Sequence, residues 1–310
     1  MKHLFLILTA FALSLGARAQ DEEKIDPYDQ SKVPLEVEPT NKKLPKIVLI
    51  AGSRSHGKGD HEFFAGAAML MKMLEQNGAA PVMARDGWPK NEKVFEGAKA
   101  IMFYCDGGGG HPAVQGERLK VLDGLMKKGV GLSCFHYGVE VEKDRGGPEF
   151  LRWIGGYFEA FWSVNPTWMA DFKELPKHEI TRGVQPFKIN DEWYYHMRFP
   201  DDMKGVTPIL TTIPPDNTRG KEGANDAHGG NPEVQEHKGE PEYMAWAFER
   251  PDGARGFGFT GAHYHKNWGN ENFRRLAVNA ILWTAKVKIP KNGAKVDMDA
   301  SALKRNLDKK

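Results

Sequence analysis

Four short apolar runs, three of them stopped by polar loops that carry glycine or histidine, constrain this chain more than any other feature. Lys46–Ala51 runs into Gly52-Ser53, and Pro81–Arg85 follows. Ala100–Cys105 runs into Asp106-Gly-Gly-Gly-Gly110-His111, and Gly131–Phe135 stops at His136-Tyr137-Gly138. Apolar runs this short, bounded by turn residues, read as buried strands. Helical periods lie between them. Phe64, Ala67, Ala68, Met71 and Leu74 share a stripe over 61–77, ended by Gly78, and Leu119, Leu122 and Met126 share another over 115–128. Strand and helix in alternation predict a parallel sheet with helices on both faces. The second half is less regular. Residues 167–172, 207–213, 244–249 and 256–260 read as strands, and 270–285 as a closing helix that buries Phe273, Leu276, Ala277, Ala280 and Ile281. Residues 214–241 are polar and rich in glycine and proline, without any period, as in lids, binding loops or disordered segments.

The ends read differently from this middle. Leu4–Leu15 is an apolar run too short to span a bilayer, and Ala17-Arg18-Ala19 follows it as a small-x-small cleavage site. Residues 1–19 are expected to be a signal peptide cleaved near Ala19, which places the mature protein in the periplasm or outside the cell. Residues 20–45 read as a linker or extended arm, 46–286 as one globular domain, and 287–310 as a C-terminal tail. Cleavage removes Lys2 and Arg18, so 43 basic residues become 41 against 41 acidic ones. A neutral chain lacks the basic footprint that nucleic acid or an anionic membrane surface requires. No later stretch is a membrane span. The two cysteines, Cys105 and Cys134, do not make a disulfide scaffold. The sequence leaves the oligomeric state open.

The polar residues that could carry chemistry each follow an apolar run. His56 and His61 follow the first strand, Asp106 and His111 the third, His136 the fourth, and His263 and His265 the last. In open α/β sheets ligands bind outside the carboxyl ends of the strands, where strand order reverses. His136 occupies a sharp turn after a buried strand, as in a nucleophile elbow. It is a candidate general base or metal ligand. Neutral histidines with one carboxylate make a zinc-type site, so His61, His136 and His263 are candidate ligands of a divalent metal such as zinc. Asp106 and His111 flank a glycine loop that lets a ligand approach the backbone. That loop lacks the Walker and dinucleotide patterns, so no nucleotide is expected. Asp191-Glu192-Trp193-Tyr194 sets carboxylates beside aromatic rings, which suits sugar rings and their hydroxyls. Glu192 is the candidate acid or base, and Trp193, Tyr194, Asp106, His111 and His265 are candidate substrate contacts. Cys134 is the rival nucleophile, although strand cysteines usually behave as small hydrophobes.

Together these segments resemble a known family. The glycine- and histidine-bearing loop after the first strand, Gly131-x-x-x-x-His136, His178-Glu-Ile-Thr-Arg-Gly183 leading to Asp191-Glu-Trp-Tyr194, and Gly261-Ala-His263 before a helix ending Ile281-Leu-Trp-Thr284 resemble the ThuA-like, trehalose-utilisation family. The resemblance covers 46–286. It implies a flavodoxin-like, class I glutamine amidotransferase-like three-layer sandwich with a mostly parallel sheet and added strands. It also implies a carbohydrate setting, including oxidised 3-keto sugars, and site roles for His61, His136, Glu192 and His263. The amidotransferase nucleophile position holds His136, and the Cys-x-Gly pattern is missing, which argues against glutamine hydrolysis. The expectation is therefore hydrolysis or elimination next to a carbonyl in a sugar or 3-keto-glycoside. The alternatives are a non-catalytic carbohydrate-binding module and a cysteine-dependent, amidotransferase-like hydrolase.

Overall fold

The structure is a computed structural model that describes residues 25–224, 226–299 and 301–310, so the leader at 1–19 lies outside the described residues. In chain order the strands are β1 (Lys46–Ala51), β2 (Ala80–Ala84), β3 (Ala98–Tyr104), β4 (Gly131–Phe135), β5 (Thr167–Phe172), β6 (Phe187–Glu192), β7 (Val206–Thr212), β8 (Glu242–Glu249) and β9 (Arg255–Phe259). The helices are α1 (Phe63–Gln76), α2 (Arg118–Lys127), α3 (Gly147–Ile154), α4 (Pro232–Glu236) and α5 (Glu271–Thr284). The main sheet runs β2-β1-β3-β4-β9-β8-β7, and β5 pairs with β6 in a small separate sheet. From β2 to β9 every pairing is parallel, while β9–β8 and β8–β7 are antiparallel. This is the expected mostly parallel sheet with added strands.

Alternation along each strand divides the core into two layers. Ile47, Leu49, Met102, Tyr104, Phe135, Phe257 and Phe259 face the layer that contains α1 and α5. Val48, Ile50, Ile101, Phe103, Leu132 and Cys134 face the layer that contains α2 and α3. Strand β9, Arg-Gly-Phe-Gly-Phe, shows why glycine alternates with phenylalanine. A Cβ on Gly256 would sit 2.2 Å from the Trp153 carbonyl oxygen, and one on Gly258 would sit 2.1 Å from the Trp246 indole. The bare face of β9 thus admits α3 and Trp246, while the other face buries aromatic rings.

Helix α1 begins at Phe63, two residues later than the hydrophobic stripe suggests. His61 has φ +45°, a left-handed conformation that a helix cannot contain. The sequence reading also passed over β6 and α3. Helix α3 is framed by left-handed Gly146 and Gly155 and carries proline in its first turn, which are local start and stop signals. Residues 214–241 contain one periodic piece after all, the single-turn-and-a-bit α4, capped by the Asn231 side chain accepting from Val234 N–H. Fully buried Arg219 anchors this segment by donating to the Val234 carbonyl at 2.8 Å. Upstream of β1, Glu36 N–H donates to the Met83 carbonyl at 2.8 Å, so Leu35 and Glu36 lie beside β2, while Pro27 and Gln30 bond to residues 306–308. No described helix is long and apolar enough to cross a membrane.

Candidate functional site

Four parallel strands end at the same edge, and their loops bring distant residues together. The order reverses between β1 and β3, where a crevice is expected. His61 enters from the loop after β1, Asp106 follows β3, His136 follows β4 and His263 follows β9. The β1 and β9 loops are clipped to each other. Asp60 bridges Tyr264, His61 N–H donates to the His263 carbonyl at 3.0 Å, and His265 N–H donates to the Gly59 carbonyl at 2.9 Å. His61, His136 and Ala262 hold φ values of +45°, +52° and +88°. Such angles persist only where the surroundings over-determine them, and they cluster at functional sites.

The ring nitrogens converge. His61 Nε2 lies 3.0 Å from His136 Nε2 and 3.0 Å from His263 Nδ1, and the latter two lie 3.2 Å apart. Glu192 Oε2 is 3.1 Å from His263 Nδ1 and 3.4 Å from His136 Nε2. Outer partners fix the tautomers. His136 Nδ1–H donates to the Thr260 carbonyl at 2.9 Å, and His61 Nδ1–H donates to Asp106 Oδ1 at 2.9 Å. Ser55 Oγ–H donates to the same Asp106 oxygen at 2.9 Å. His263 turns Nε2 toward Asp60, 3.8 Å away. The inner nitrogens of His61 and His136 therefore face each other as lone pairs, which repel unless a cation lies among them. A zinc ion bonded at about 2.0–2.1 Å sets tetrahedral ligands about 3.3 Å apart, so the donor types and spacing fit a divalent metal.

The electrostatics of His61 and Glu192 point the same way. Burial, then the rings of His136, His56 and His263, hold His61 far below the usual imidazole range. Burial opposes ionisation of Glu192, but the adjoining rings of His136 and His263 outweigh it and bring the carboxyl well below its ordinary value. Burial likewise opposes charge on His263, yet the adjoining Glu192 raises it. Side-chain exposure is 0% for His136, 1% for His61, 11% for His263 and 19% for Glu192, so Glu192 marks the open side. Tyr194 O–H lies 3.3 Å from Glu192 Oε2 and 3.5 Å from His136 Nε2.

Other residues singled out in the sequence lie elsewhere. His111 is fully buried beside Phe103 and Phe150. Its Nε2–H donates to the Gly138 carbonyl at 3.1 Å, and its Nδ1 accepts from Ala113 N–H at 3.0 Å. It braces the glycine loop and does not face a ligand. Trp193 is also fully buried, packed edge-to-face among Phe172, Phe259 and Phe273, with its indole N–H on the Ile189 carbonyl. It is a core residue because β6 turns it toward the α5 layer. His265 is buried in the single 3-10 turn before α5, and its backbone, not its ring, serves the site. Cys134 is buried within β4, and burial holds its thiol far above its ordinary value. Cys134→Ala is accordingly expected to lower stability by about 1 kcal/mol, measured by thermal melts, and to leave the histidine cluster undisturbed.

His111 carries a second prediction. Burial pushes it down to about 4, against an ordinary value of 6.5. The unfolded ring takes a proton that the folded ring refuses, so stability falls as pH drops from about 6.5 toward 4. At 1.36 kcal/mol per pH unit the loss approaches about 3 kcal/mol. Urea melts across that window should show a shallower acid limb in His111→Gln than in wild type.

Two positions escaped the sequence reading. Asp191, taken only as one of a carboxylate pair, is fully buried and holds the His263 loop. Its Oδ2 accepts from Ala262 N–H at 2.7 Å, and its Oδ1 from His263 N–H at 3.1 Å and Tyr264 N–H at 3.3 Å. The available signal was its register in β6, where Phe187, Ile189 and Asp191 share the inward face. Asn165 had no signal. Its Nδ2–H reaches Glu192 Oε1 at 3.5 Å from a loop with no pattern of its own.

Comparison with known proteins agrees with this architecture. No curated protein matches the chain. Among solved structures the chain is similar to a ThuA-like protein of Bacteroides uniformis, with a TM-score of 0.57 and 17% identity over 78% of this chain and 92% of that one. It is also similar to a ThuA-like protein of Parabacteroides merdae, with a TM-score of 0.52 and 15% identity over 84% of this chain and 99% of that one. These likenesses show the fold, an α/β sandwich built on a mostly parallel sheet with added strands. The family model described as ThuA, trehalose utilisation, matches residues 48–284, most of the chain, and the chain belongs to that family.

Proposed function

We propose that this protein is an exported enzyme acting on an oxidised sugar or its glycoside, with His61, His136 and His263 holding a divalent metal such as zinc and Glu192 acting as base. The observation that carries this reading is the closure of three inward-facing ring nitrogens, 3.0–3.2 Å apart, with a carboxylate oxygen 3.1–3.4 Å from two of them. The family's description as trehalose utilisation supports a carbohydrate substrate. The apolar leader at 1–19 supports export.

A metal held there supplies a Lewis acid for a carbonyl oxygen. The chain's own groups do the rest. In a 3-keto-glycoside the carbonyl acidifies the C2 proton, and Glu192, on the open side of the cluster, takes it. The electron pair left on C2 forms the C1–C2 double bond as the C1–O bond breaks. The departing oxygen recovers the proton from Glu192, with Tyr194 O–H within reach to pass it on. Asp106 and Thr260 hold the rings of His61 and His136 in the tautomers this needs.

Elemental analysis of protein purified without added metal should find about one divalent ion per chain, and a chelator should remove both the ion and turnover of a 3-keto-glucoside. Metal-free protein that binds sugar without turning it over would favour the carbohydrate-binding module.

A further inference from the structure

Four residues past His136, Glu140 closes the same turn. It is 5% exposed, and its two carboxylate oxygens differ. Oε1 lies 3.5 Å from His228 Nε2, while Oε2 is buried without a hydrogen-bond partner among the described residues. A buried carboxylate oxygen without a donor is costly and uncommon, and it calls for a reason.

Its surroundings connect it to the histidine cluster. The four-glycine loop after β3 lies against this turn, with Gly108 N–H donating to the Glu140 carbonyl at 3.0 Å. A Cβ on Gly107 would stand 2.2 Å from the Tyr137 carbonyl oxygen and 2.9 Å from Glu140 Cβ, so only glycine permits that approach. Half-buried Tyr137 fills the space toward the cluster, its ring centroid 6.1 Å from that of His61. His228 arrives from the long polar segment, which docks through Phe161 N–H on the Ala227 carbonyl at 2.7 Å and Asn231 Nδ2–H on the Trp162 carbonyl at 2.6 Å. Asn165 joins both parts. Its N–H donates to the His228 carbonyl at 3.4 Å, and its side chain reaches Glu192. The ring of Phe158 touches both His228 and Tyr194. Glu140 raises His228 above its ordinary value against the opposing effect of burial, with smaller contributions from Asp226 and then Glu192.

We propose that Glu140 and His228 form a hydroxyl-binding subsite of the same pocket, in which Glu140 Oε2 accepts a ligand O–H and the segment carrying His228 closes over it. The inference rests on the sugar-directed reading of the cluster and adds to it. A carboxylate repels an anionic ligand, and the imidazole beside it, biased by that carboxylate toward its charged form, disfavours a cation. A neutral polyol suits both. Two side chains are too few for a metal of their own. Tyr137 offers a ring face to the sugar's C–H groups. The glycine loop and the long polar segment thereby acquire a role in selecting a hydroxylated ring.

The test compares wild type, Glu140→Gln and His228→Ala with methyl 3-keto-glucoside and its 4-deoxy and 6-deoxy counterparts, together with metal content. Both variants should keep the wild-type metal content. Their KM for the parent sugar should rise roughly 10- to 100-fold, the loss of a hydrogen bond to a charged group, with kcat changed less than about threefold. The wild-type preference for the parent over one deoxy sugar should collapse in Glu140→Gln, which a merely structural role would not cause. An unchanged KM and unchanged deoxy discrimination, with metal and turnover intact, would overturn the subsite and leave the cluster reading standing. Wild-type protein that neither binds nor turns over any of these sugars would overturn both. Should Glu140→Gln fail to fold, His228→Ala carries the same comparison, because that side chain is 36% exposed.

Discussion

On the proposed metal-site reading, His136→Ala is expected to lose the bound divalent ion and to lower turnover of a 3-keto-glucoside by roughly a thousandfold or more, the scale of losing several kcal/mol of carbonyl polarisation. The same change should cost little stability, about 1 kcal/mol for the bond between His136 Nδ1–H and the Thr260 carbonyl. Activity and stability are thus expected to separate, which marks a side chain placed for chemistry at the expense of backbone comfort, here a φ of +52°. Elemental analysis, kinetics and a thermal melt on one preparation check all three. Wild-type turnover in the alanine variant would remove the cluster from the reaction.

Asp191→Ala is expected to do the opposite, damaging stability first and activity as a result. One carboxylate accepts from the backbone N–H groups of Ala262, His263 and Tyr264, and from its neighbour Glu192 at 2.9 Å. Each buried N–H left without an acceptor costs about 1–3 kcal/mol, and water regained on loosening recovers part of it. A net loss of about 3–5 kcal/mol follows, or a melting temperature lower by about 10 °C or more. The His263 loop would lose its anchor, so metal retention should fall as well. Asp191→Asn should fall between the two, because its amide keeps one acceptor but turns a donor toward an existing N–H. Melting and metal content unchanged in Asp191→Ala would show that the loop holds itself.

The sheet was legible because its evidence is local. Four buried runs with helical periods between them leave little choice but a parallel core, and Gly-Phe alternation in β9 is readable without any neighbour. Placing histidines after strand ends was enough to gather His61, His136 and His263, since parallel strands send their loops to one edge. It failed for His111 for an instructive reason. A residue after a strand can point into the sheet's edge or back into the core, and only the Gly138 carbonyl and the Phe150 ring decide which. Trp193 shows the same limit, since its side of the chain is set by β6 pairing with β5. The role of Asp191 was half-legible, because a carboxylate in register with buried apolar residues needs a reason to be there. The Glu140–His228 contact joins a turn to a patternless segment and had no sequence signature at all.

The position of β9 has a consequence for the order in which the molecule comes into being. It sits beside β4 in the middle of the sheet, although it is the last strand to be made. The ring contacts between His61 and His263 span 202 positions. A nascent chain still lacking its final sixty or so residues can pair β1, β2, β3 and β4, yet it presents two isolated imidazoles with nothing to close them. Closure of the cluster therefore waits until β9 and the loop after it have joined the four earlier strands.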